Sequence, residues 1–253
     1  MKKKDYSIDH LIEIMNDLRS KCPWDQNQTM DSLKKLTIEE TFELIDAIDR
    51  KNYNEICEEL GDVLLHVVFY SKIASEKKKF NFDDVIKTLI KKLIFRHPHI
   101  YGNVVVKNED DVKRNWEKLK SQNTQRGILS GIPKNLPTLI KANRVQEKVS
   151  SIGFDFSKVE HTINKINEEF EEFNSALISK EKSKIEEEFG DILFSLVNYS
   201  RHIGIDSNDC LKKSTKKFIQ RFRKVEKIIA KKKGDISLYT EKELNLIWEE
   251  VKK

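Results

Sequence analysis

The sequence contains few of the residues that interrupt helices or cross-link chains. Its 253 residues include only four prolines, eight glycines and three cysteines, which are Cys22, Cys57 and Cys210. Three scattered cysteines neither form a disulfide framework nor show the paired spacing of a zinc site. No apolar run approaches the roughly 20 residues that a membrane helix requires, so we expect no contact with a membrane.

Charge of one sign is not in large excess either. Charged residues make up 35% of the chain and the net charge is +5. Because no aromatic side chains are interleaved with a basic patch, we expect no nucleic acid partner. The basic start of the chain is not followed by an apolar segment, so we expect no signal peptide and a cytoplasmic protein.

Apolar residues recur every three or four positions along most of the chain, which predicts an all-α fold. Asp83 is the expected N-cap of the fourth helix, and only residues 103–106 have a weak strand pattern. The segment 124–137 holds two glycines and two prolines and is the predicted linker. It would separate an N-terminal unit, 1–123, from a C-terminal unit, 138–253. The predicted helices cover residues 8–19, 31–50, 54–76, 83–95, 110–120, 139–149, 163–178, 184–200 and 209–232, with a last helix after Thr240 that carries Trp248.

The stretch from Ile163 to Ser200 concentrates acidic residues at a regular spacing. Glu169 and Glu172 share one helix face, and Glu188 and Asp191 share a face of the next helix, since residues three apart are neighbours. If the two helices form a hairpin, the four carboxylates meet. They border apolar stripes and cannot all stay charged and unpaired there. Oxygen ligands of this kind predict a hard cation, Mg²⁺ or Mn²⁺.

The same acidic pattern occurs earlier in the chain. Each early member precedes its later counterpart by the same number of positions, as Glu40 precedes Glu169, and we call this separation the repeat offset. Two copies of one helical unit are therefore predicted. Three roles stay open for the earlier acidic set: a second active site, a binding-only site, or a remnant kept for assembly. Its members are Glu40, Glu43, Glu59 and Asp62.

Gly61 and Gly190 are also separated by the repeat offset and fall inside helical patterns, where glycine costs about 1 kcal/mol relative to alanine. We expect these glycines both to allow close helix packing and to leave room for a ligand beside the acids.

These residues resemble the MazG family of nucleoside triphosphate pyrophosphohydrolases. The resemblance rests on the duplicated Glu-Glu-x-x-Glu and Glu-x-x-Asp patterns and on shorter motifs in the same order, with Phe156 as a departure where the family has Trp. It implies an all-α fold, assembly as a homodimer, and Mg²⁺-dependent hydrolysis of an NTP or dNTP to the monophosphate and pyrophosphate. It also implies that the C-terminal copy is the active one. The shorter motifs are residues 22–29, 96–99, 132–137 and 153–155.

Hydrolysis between the α- and β-phosphates needs an activated water and neutralisation of the leaving pyrophosphate. We assign Glu169, Glu172, Glu188 and Asp191 as metal ligands, and Glu168 or Glu187 as the residue that orients or deprotonates the water. The predicted nucleotide-binding residues are Lys165, Glu168, Glu169, Lys184, Glu187, Asn198, Arg221, Phe222 and Trp248.

Other interpretations of the acidic cluster predict different chemistry. A redox di-metal bundle would carry Glu-x-x-His on its helices, and no histidine here has a glutamate three positions before it. A zinc site at His97 and His99 lacks further ligands. A non-catalytic helical scaffold, or a regulatory nucleotide-binding protein, predicts no metal-dependent hydrolysis.

Overall fold

The computed structural model describes residues 6–109, 127–231 and 234–252, together with 111, 112, 115, 116 and 119. All regular secondary structure in these residues is helical, which confirms the predicted all-α class. The chain divides into two units, Met1–Lys107 and Asn108–Lys253. Within the described residues, no helix combines the length and apolar character needed to cross a membrane.

The described residues of the N-terminal unit, 6–107, form six helices, and four of these contribute to an apolar core. Its buried residues are Met15, Leu33, Val68, Phe69 and Ile73, with Leu36 among those packed against them. Thr29 caps the third helix because its side chain accepts from the Ser32 amide. The helices are α1 Ile8–Lys21, α2 Pro23–Asn27, α3 Met30–Arg50, α4 Tyr53–Glu76, α5 Phe82–Arg96 and α6 Pro98–Tyr101.

The C-terminal unit contains a helix pair like α3 and α4, followed by a 25-residue helix and a 12-residue helix. Val225, Ile229 and Ile247 form a second buried cluster, in which Trp248 is partly buried. A short 3₁₀ helix, Ile236–Leu238, comes before the last helix. The α-helices labelled here are α7 Thr138–Ser150, α8 Val159–Ser179, α9 Lys182–His202, α10 Ser207–Lys231 and α11 Glu241–Lys252.

The two acidic helix pairs turn in the same way. Lys51 ends α3 with φ 55°, and Lys180 ends α8 with φ 58°. These left-handed residues are separated by the repeat offset and so occupy equivalent positions. They allow the last carbonyls of each helix to be satisfied before the chain reverses. The resulting hairpins, α3–α4 and α8–α9, place both acidic sets between adjacent helices.

Several local predictions need correction. Asn81, not Asp83, is the N-cap of α5, because its side chain accepts from the Asp84 amide while Asp84 accepts in return. Residues 103–106 form no strand. The predicted break before α3 contains the short helix α2, where Pro23 occupies a first-turn position that needs no amide donor. The predicted helix over 110–120 lies largely outside the described residues.

The glycine prediction is only half supported. A Cβ added at Gly61 or Gly190 would meet no heavy atom within 4 Å. Close helix packing therefore does not explain either glycine within this chain, and that part of the prediction is wrong. The open space beside both glycines is consistent with the other part, room for a ligand next to the acids.

Thr240 caps the last helix. The Glu243 amide donates to Thr240 Oγ1 at 3.4 Å, and the Thr240 amide donates to Glu243 Oε2 at 2.8 Å. This reciprocal capping box fixes the start of α11.

Part of the predicted linker is held against α7. Lys148 on α7 donates to the carbonyls of Ile128 and Ser130 at 3.0 and 3.1 Å.

Candidate active site

Three of the four predicted metal ligands of the C-terminal unit converge between α8 and α9. Glu169, Glu172 and Glu188 each offer a carboxylate oxygen, and these oxygens all lie within 4.8 Å of one another. Glu169 is buried, Glu188 is half-buried and Glu172 is exposed. Asp191, one turn beyond Glu188 on α9, lines an adjoining pocket. The hairpin thus produces the convergence that the spacing predicts.

Like charges meet in this cluster, and they affect the pKa of Glu188. Burial and then the charges of Glu172 and Asp191 raise the pKa of Glu188 above its ordinary value. A cation already lies at the other side of the cluster, where Lys165 Nζ is 2.7 Å from both Glu168 and Glu169. Hydrogen bonds to these two carboxylates raise the pKa of Lys165. The cluster is an anionic site with one built-in lysine.

The N-terminal unit holds a matching acidic cluster. Glu40, Glu43 and Glu59 also bring carboxylate oxygens within 4.8 Å of one another. Burial, followed by the charge of Asp62, raises the pKa of Glu40, and burial with the charge of Glu43 raises that of Glu59. The four predicted residues of the earlier set therefore interact as the later four do, but the position equivalent to Lys165 is Leu36.

A pocket of about 670 Å³ lies beside the C-terminal cluster. It is bounded by α7, by the turn at residues 153–156 and by the acidic pair α8–α9. Glu169 and Asp191 line it as well as belonging to the predicted ligand set, so pocket and carboxylates form one continuous site. A volume of this size is typical of small-molecule sites. The apolar part of its wall comes from Val145, Val149, Phe154, Phe156 and Phe194.

A hydrogen-bonded network forms the polar wall of the pocket. Arg201 Nη2 donates to Asp155 Oδ1 at 2.6 Å and to Asn198 Oδ1 at 2.7 Å. His202 Nε2 lies 2.9 Å from the same Asp155 oxygen. Burial opposes the charged form of Asp155, but the hydrogen bonds from Arg201, Ser150 and His202 hold its pKa well below its usual range. The network orients Asn198, one of the predicted nucleotide-binding residues, at the pocket wall.

Other predicted residues lie on the outer faces of the hairpin. The Glu168 side chain is 56% exposed and is paired with Lys165, and Glu187 is exposed. Lys184 Nζ is 2.8 Å from Glu181 Oε2 in the first turn of α9, and its side chain is 58% exposed. The described lining of the pocket includes none of these three residues.

The last three predicted residues, Arg221, Phe222 and Trp248, lie on α10 and α11. The Phe218 ring stacks nearly parallel on Phe222, with centroids 6.1 Å apart, and contacts the Trp248 ring at 5.1 Å. Trp248 also packs against the buried cluster of these two helices. None of the three is among the described residues that line the pocket.

Sequence reasoning missed much of the pocket wall, including Gln146 and Arg201. Arg201 follows Asn198 by three positions on α9, so helical spacing could have placed both on one face. Gln146 gave no such signal, because a glutamine on an amphipathic helix usually faces solvent.

We predict that millimolar MgCl₂ raises the thermal unfolding midpoint, and more so at neutral than at acidic pH. The pKa of Glu188 lies above its ordinary value of 4.5 in the folded chain. Glu188 therefore keeps its proton to a higher pH in the folded chain than in the unfolded one, and its contribution to stability falls as the pH rises above 4.5. A divalent cation bound to the deprotonated cluster offsets that loss. Melting curves at both pH values measure the effect.

The control for this experiment is NaCl at matched ionic strength, since salt alone screens repulsion between exposed charges. An equal rise in NaCl, or a larger Mg²⁺ effect at acidic pH, would contradict the prediction.

The described part of the chain defines a class of protein. It is all-helical and repeats an acidic hairpin, and one copy of this hairpin adjoins a ligand-sized pocket. The family model for the MazG nucleotide pyrophosphohydrolase domain matches the chain twice, over residues 28–101 and 157–226. The starts of the two matches are separated by the repeat offset. The chain belongs to this MazG family.

Full-length relatives agree with the family match. A Thermotoga maritima protein named nucleoside triphosphate pyrophosphohydrolase/pyrophosphatase MazG is 42% identical over 257 residues, covering 100% of this chain and 98% of that protein. The Escherichia coli K12 nucleoside triphosphate pyrophosphohydrolase is 36% identical over 255 residues, which cover 97% of each chain. A Bacillus subtilis protein, YabN, described as uncharacterized, is 38% identical over 91% of this chain and 48% of its own length.

Proposed function

We propose that this chain hydrolyses nucleoside triphosphates, including deoxynucleotides, to the monophosphate and pyrophosphate, and that the C-terminal unit carries the reaction. Membership of the MazG family supports pyrophosphohydrolase activity, as do the names of the Thermotoga and Escherichia coli relatives.

We assign the reaction to the C-terminal unit because the two copies differ in the side chains near their acids. Lys165 and Asn198 line its pocket, whereas the equivalent positions in the N-terminal copy hold Leu36 and Phe69. Phe69 is 2% exposed in the N-terminal core, and Leu36 packs against that core. The N-terminal copy keeps its acids but places apolar side chains where the C-terminal copy has a polar pocket wall.

The acids of the C-terminal unit fit a hard divalent cation. They supply only carboxylate oxygens, three of them within 4.8 Å of one another, which is the donor type that Mg²⁺ and Mn²⁺ prefer. We assign Glu169, Glu172, Glu188 and Asp191 as the residues that would hold the ion. A bound Mg²⁺ would stabilise charge on the phosphates and lower the pKa of a coordinated water.

Other side chains of the site bind the nucleotide or accept the proton of the attacking water. Lys165 pairs with Glu169 and lines the pocket, so it is placed to meet a phosphate oxygen. Glu168 and Glu187 directly precede the assigned ligands Glu169 and Glu188, and one of them accepts a proton from the attacking water. Asn198, held by Arg201, contacts the part of the nucleotide inside the pocket.

A homodimer is part of the proposal. The hairpin exposes large apolar side chains, including Phe170 at 46%, Phe189 at 52% and Leu193 at 45%. Apolar surface of this kind is suited to pack against a second helical face, as the family resemblance implies.

The activity is tested with a panel of NTPs and dNTPs and Mg²⁺, scored separately for pyrophosphate and orthophosphate. We expect pyrophosphate and the nucleoside monophosphate in equal amounts, with no release after EDTA. Release of orthophosphate alone would indicate another phosphohydrolase. Absence of both products from every substrate would instead favour the scaffold or the regulatory nucleotide-binding protein.

A further inference from the structure

The pocket wall opposite the carboxylates has a chemical character that phosphate binding does not explain. Phe154, Phe156 and Phe194 contribute aromatic rings to it, and Val145 and Val149 contribute aliphatic surface. Phosphates require cations and donors, whereas aromatic and aliphatic walls favour a flat apolar group. Aromatic side chains stack on nucleobases and stabilise their binding. The pocket is therefore polarised, with an ionic end at Lys165 and Glu169 and an apolar end at the phenylalanines.

One polar atom in this apolar wall has no partner. Gln146 is 4% exposed and lines the pocket. Its Nε2 donates to the Phe194 carbonyl at 2.9 Å. Its Oε1 is closed off from bulk water and accepts no hydrogen bond within the described part of the chain. A buried polar atom left in this state is costly, so a partner is expected.

The hydrogen bond to Phe194 also identifies which atom of the Gln146 side-chain amide lacks a partner. The opposite orientation of the Gln146 amide would place its oxygen against the Phe194 carbonyl oxygen, two acceptors facing each other. The unpaired group is therefore an acceptor, and the partner that it lacks is an N–H or O–H donor.

We propose that the apolar end of the pocket takes the nucleobase and that Gln146 Oε1 accepts a hydrogen bond from an N–H on the edge of that base. This inference rests on the proposed function and extends it, because it makes Gln146 a specificity-determining residue. The base stacks on the phenylalanine walls while the phosphates reach Lys165 and the acids. Exocyclic amino groups and ring imides both supply such an N–H, and a base that has lost its donors by alkylation does not.

The alternative location for the base, the face of Trp248, is less suited to this role. The Trp248 ring already contacts Phe218 at 5.1 Å, and Lys252 Nζ lies 6.0 Å from its centroid. It also packs against the buried cluster of α10 and α11. Its neighbours thus cover part of the ring, whereas the Gln146 oxygen lacks a partner.

The test compares substrates on the unmodified chain with Mg²⁺ present. ATP is paired with N6,N6-dimethyl-ATP, UTP is paired with N3-methyl-UTP, and ribose 5-triphosphate serves as a substrate without a base. We expect kcat/KM to fall about tenfold when the donor is removed from the base in at least one pair, equivalent to about 1.4 kcal/mol. Ribose 5-triphosphate should react more slowly than either parent nucleotide.

Gln146→Leu gives the second arm. It should lower kcat/KM for the parent nucleotide about tenfold, mainly through KM, abolish the difference within the pair, and leave ribose 5-triphosphate within about twofold. Asn143→Leu is the matched control, because Asn143 carries the same side-chain amide on α7 but donates to Glu147 and does not line the pocket. We expect it to behave as the unmodified chain does.

The possible failures are distinguishable. If the unmodified chain hydrolyses parent and alkylated nucleotides equally well in both pairs, the base is not read here and only this inference falls. If Gln146→Leu slows ribose 5-triphosphate as much as the nucleotides, Gln146 has a structural role and the inference is again overturned. If no triphosphate is hydrolysed at all, the proposed function itself fails. The comparison of substrate pairs needs no variant, so poor folding of Gln146→Leu would leave it decisive.

Discussion

Replacing Glu172 by alanine is expected to abolish Mg²⁺-dependent release of pyrophosphate. Its carboxylate lies within 4.8 Å of those of Glu169 and Glu188, so the variant leaves a gap in the set that would hold the ion. Loss of a residue that only supports a metal ligand typically costs about 10–100-fold, so we expect loss of a ligand to lower kcat/KM by more than about 100-fold. Steady-state kinetics across a range of Mg²⁺ concentrations measure it.

The repeat supplies the control for this variant. Glu43 is the counterpart of Glu172 in the N-terminal copy and belongs to the matching cluster. We expect Glu43→Ala to have a small effect or none on kcat/KM. A comparable loss in Glu43→Ala would make the N-terminal copy a catalyst in its own right, and full activity of Glu172→Ala would remove the C-terminal cluster from the mechanism.

The second large effect is expected from making the C-terminal pocket resemble the N-terminal core. The double variant Lys165→Leu/Asn198→Phe introduces the residues found at positions 36 and 69. The phenylalanine enters the volume proposed for the nucleotide, and the lysine that faces Glu169 is lost. Because misplacement of a substrate by about 1 Å can cost about 100-fold, we expect kcat/KM to fall by at least that factor.

This double variant should keep its metal site. All four assigned ligands remain, and removal of Lys165 takes away a cation that competes for Glu169, so Mn²⁺ should bind at least as tightly as before. Calorimetry with Mn²⁺ and circular dichroism check binding and folding. The single variant Lys182→Leu, a solvent-exposed lysine on α9, is the control and should retain activity. Normal hydrolysis by the double variant would show that the pocket does not hold the substrate.

Much of the fold follows from local sequence patterns. The predicted second helix, 31–50, and third helix, 54–76, differ from α3 and α4 by one residue at most. Their apolar periodicity is a property of the chain alone, and it remains visible whatever the helices pack against. The errors occur at caps and short turns, such as Asn81 in place of Asp83, where neighbouring polar side chains compete for the same few amides.

The sequence alone also determined the acidic clusters and the repeat. A spacing of three within a helix and a constant offset between the two copies are countable in one dimension, and a hairpin converts them into a cluster with little further information. The pocket is different, because its wall combines α7, the turn at 153–156 and the α8–α9 hairpin. Only the tertiary structure showed that Gln146 and Asn198 share this cavity, while Phe69 lies in a packed core. Burial of a side chain depends on what other segments place against it, and no local pattern records that.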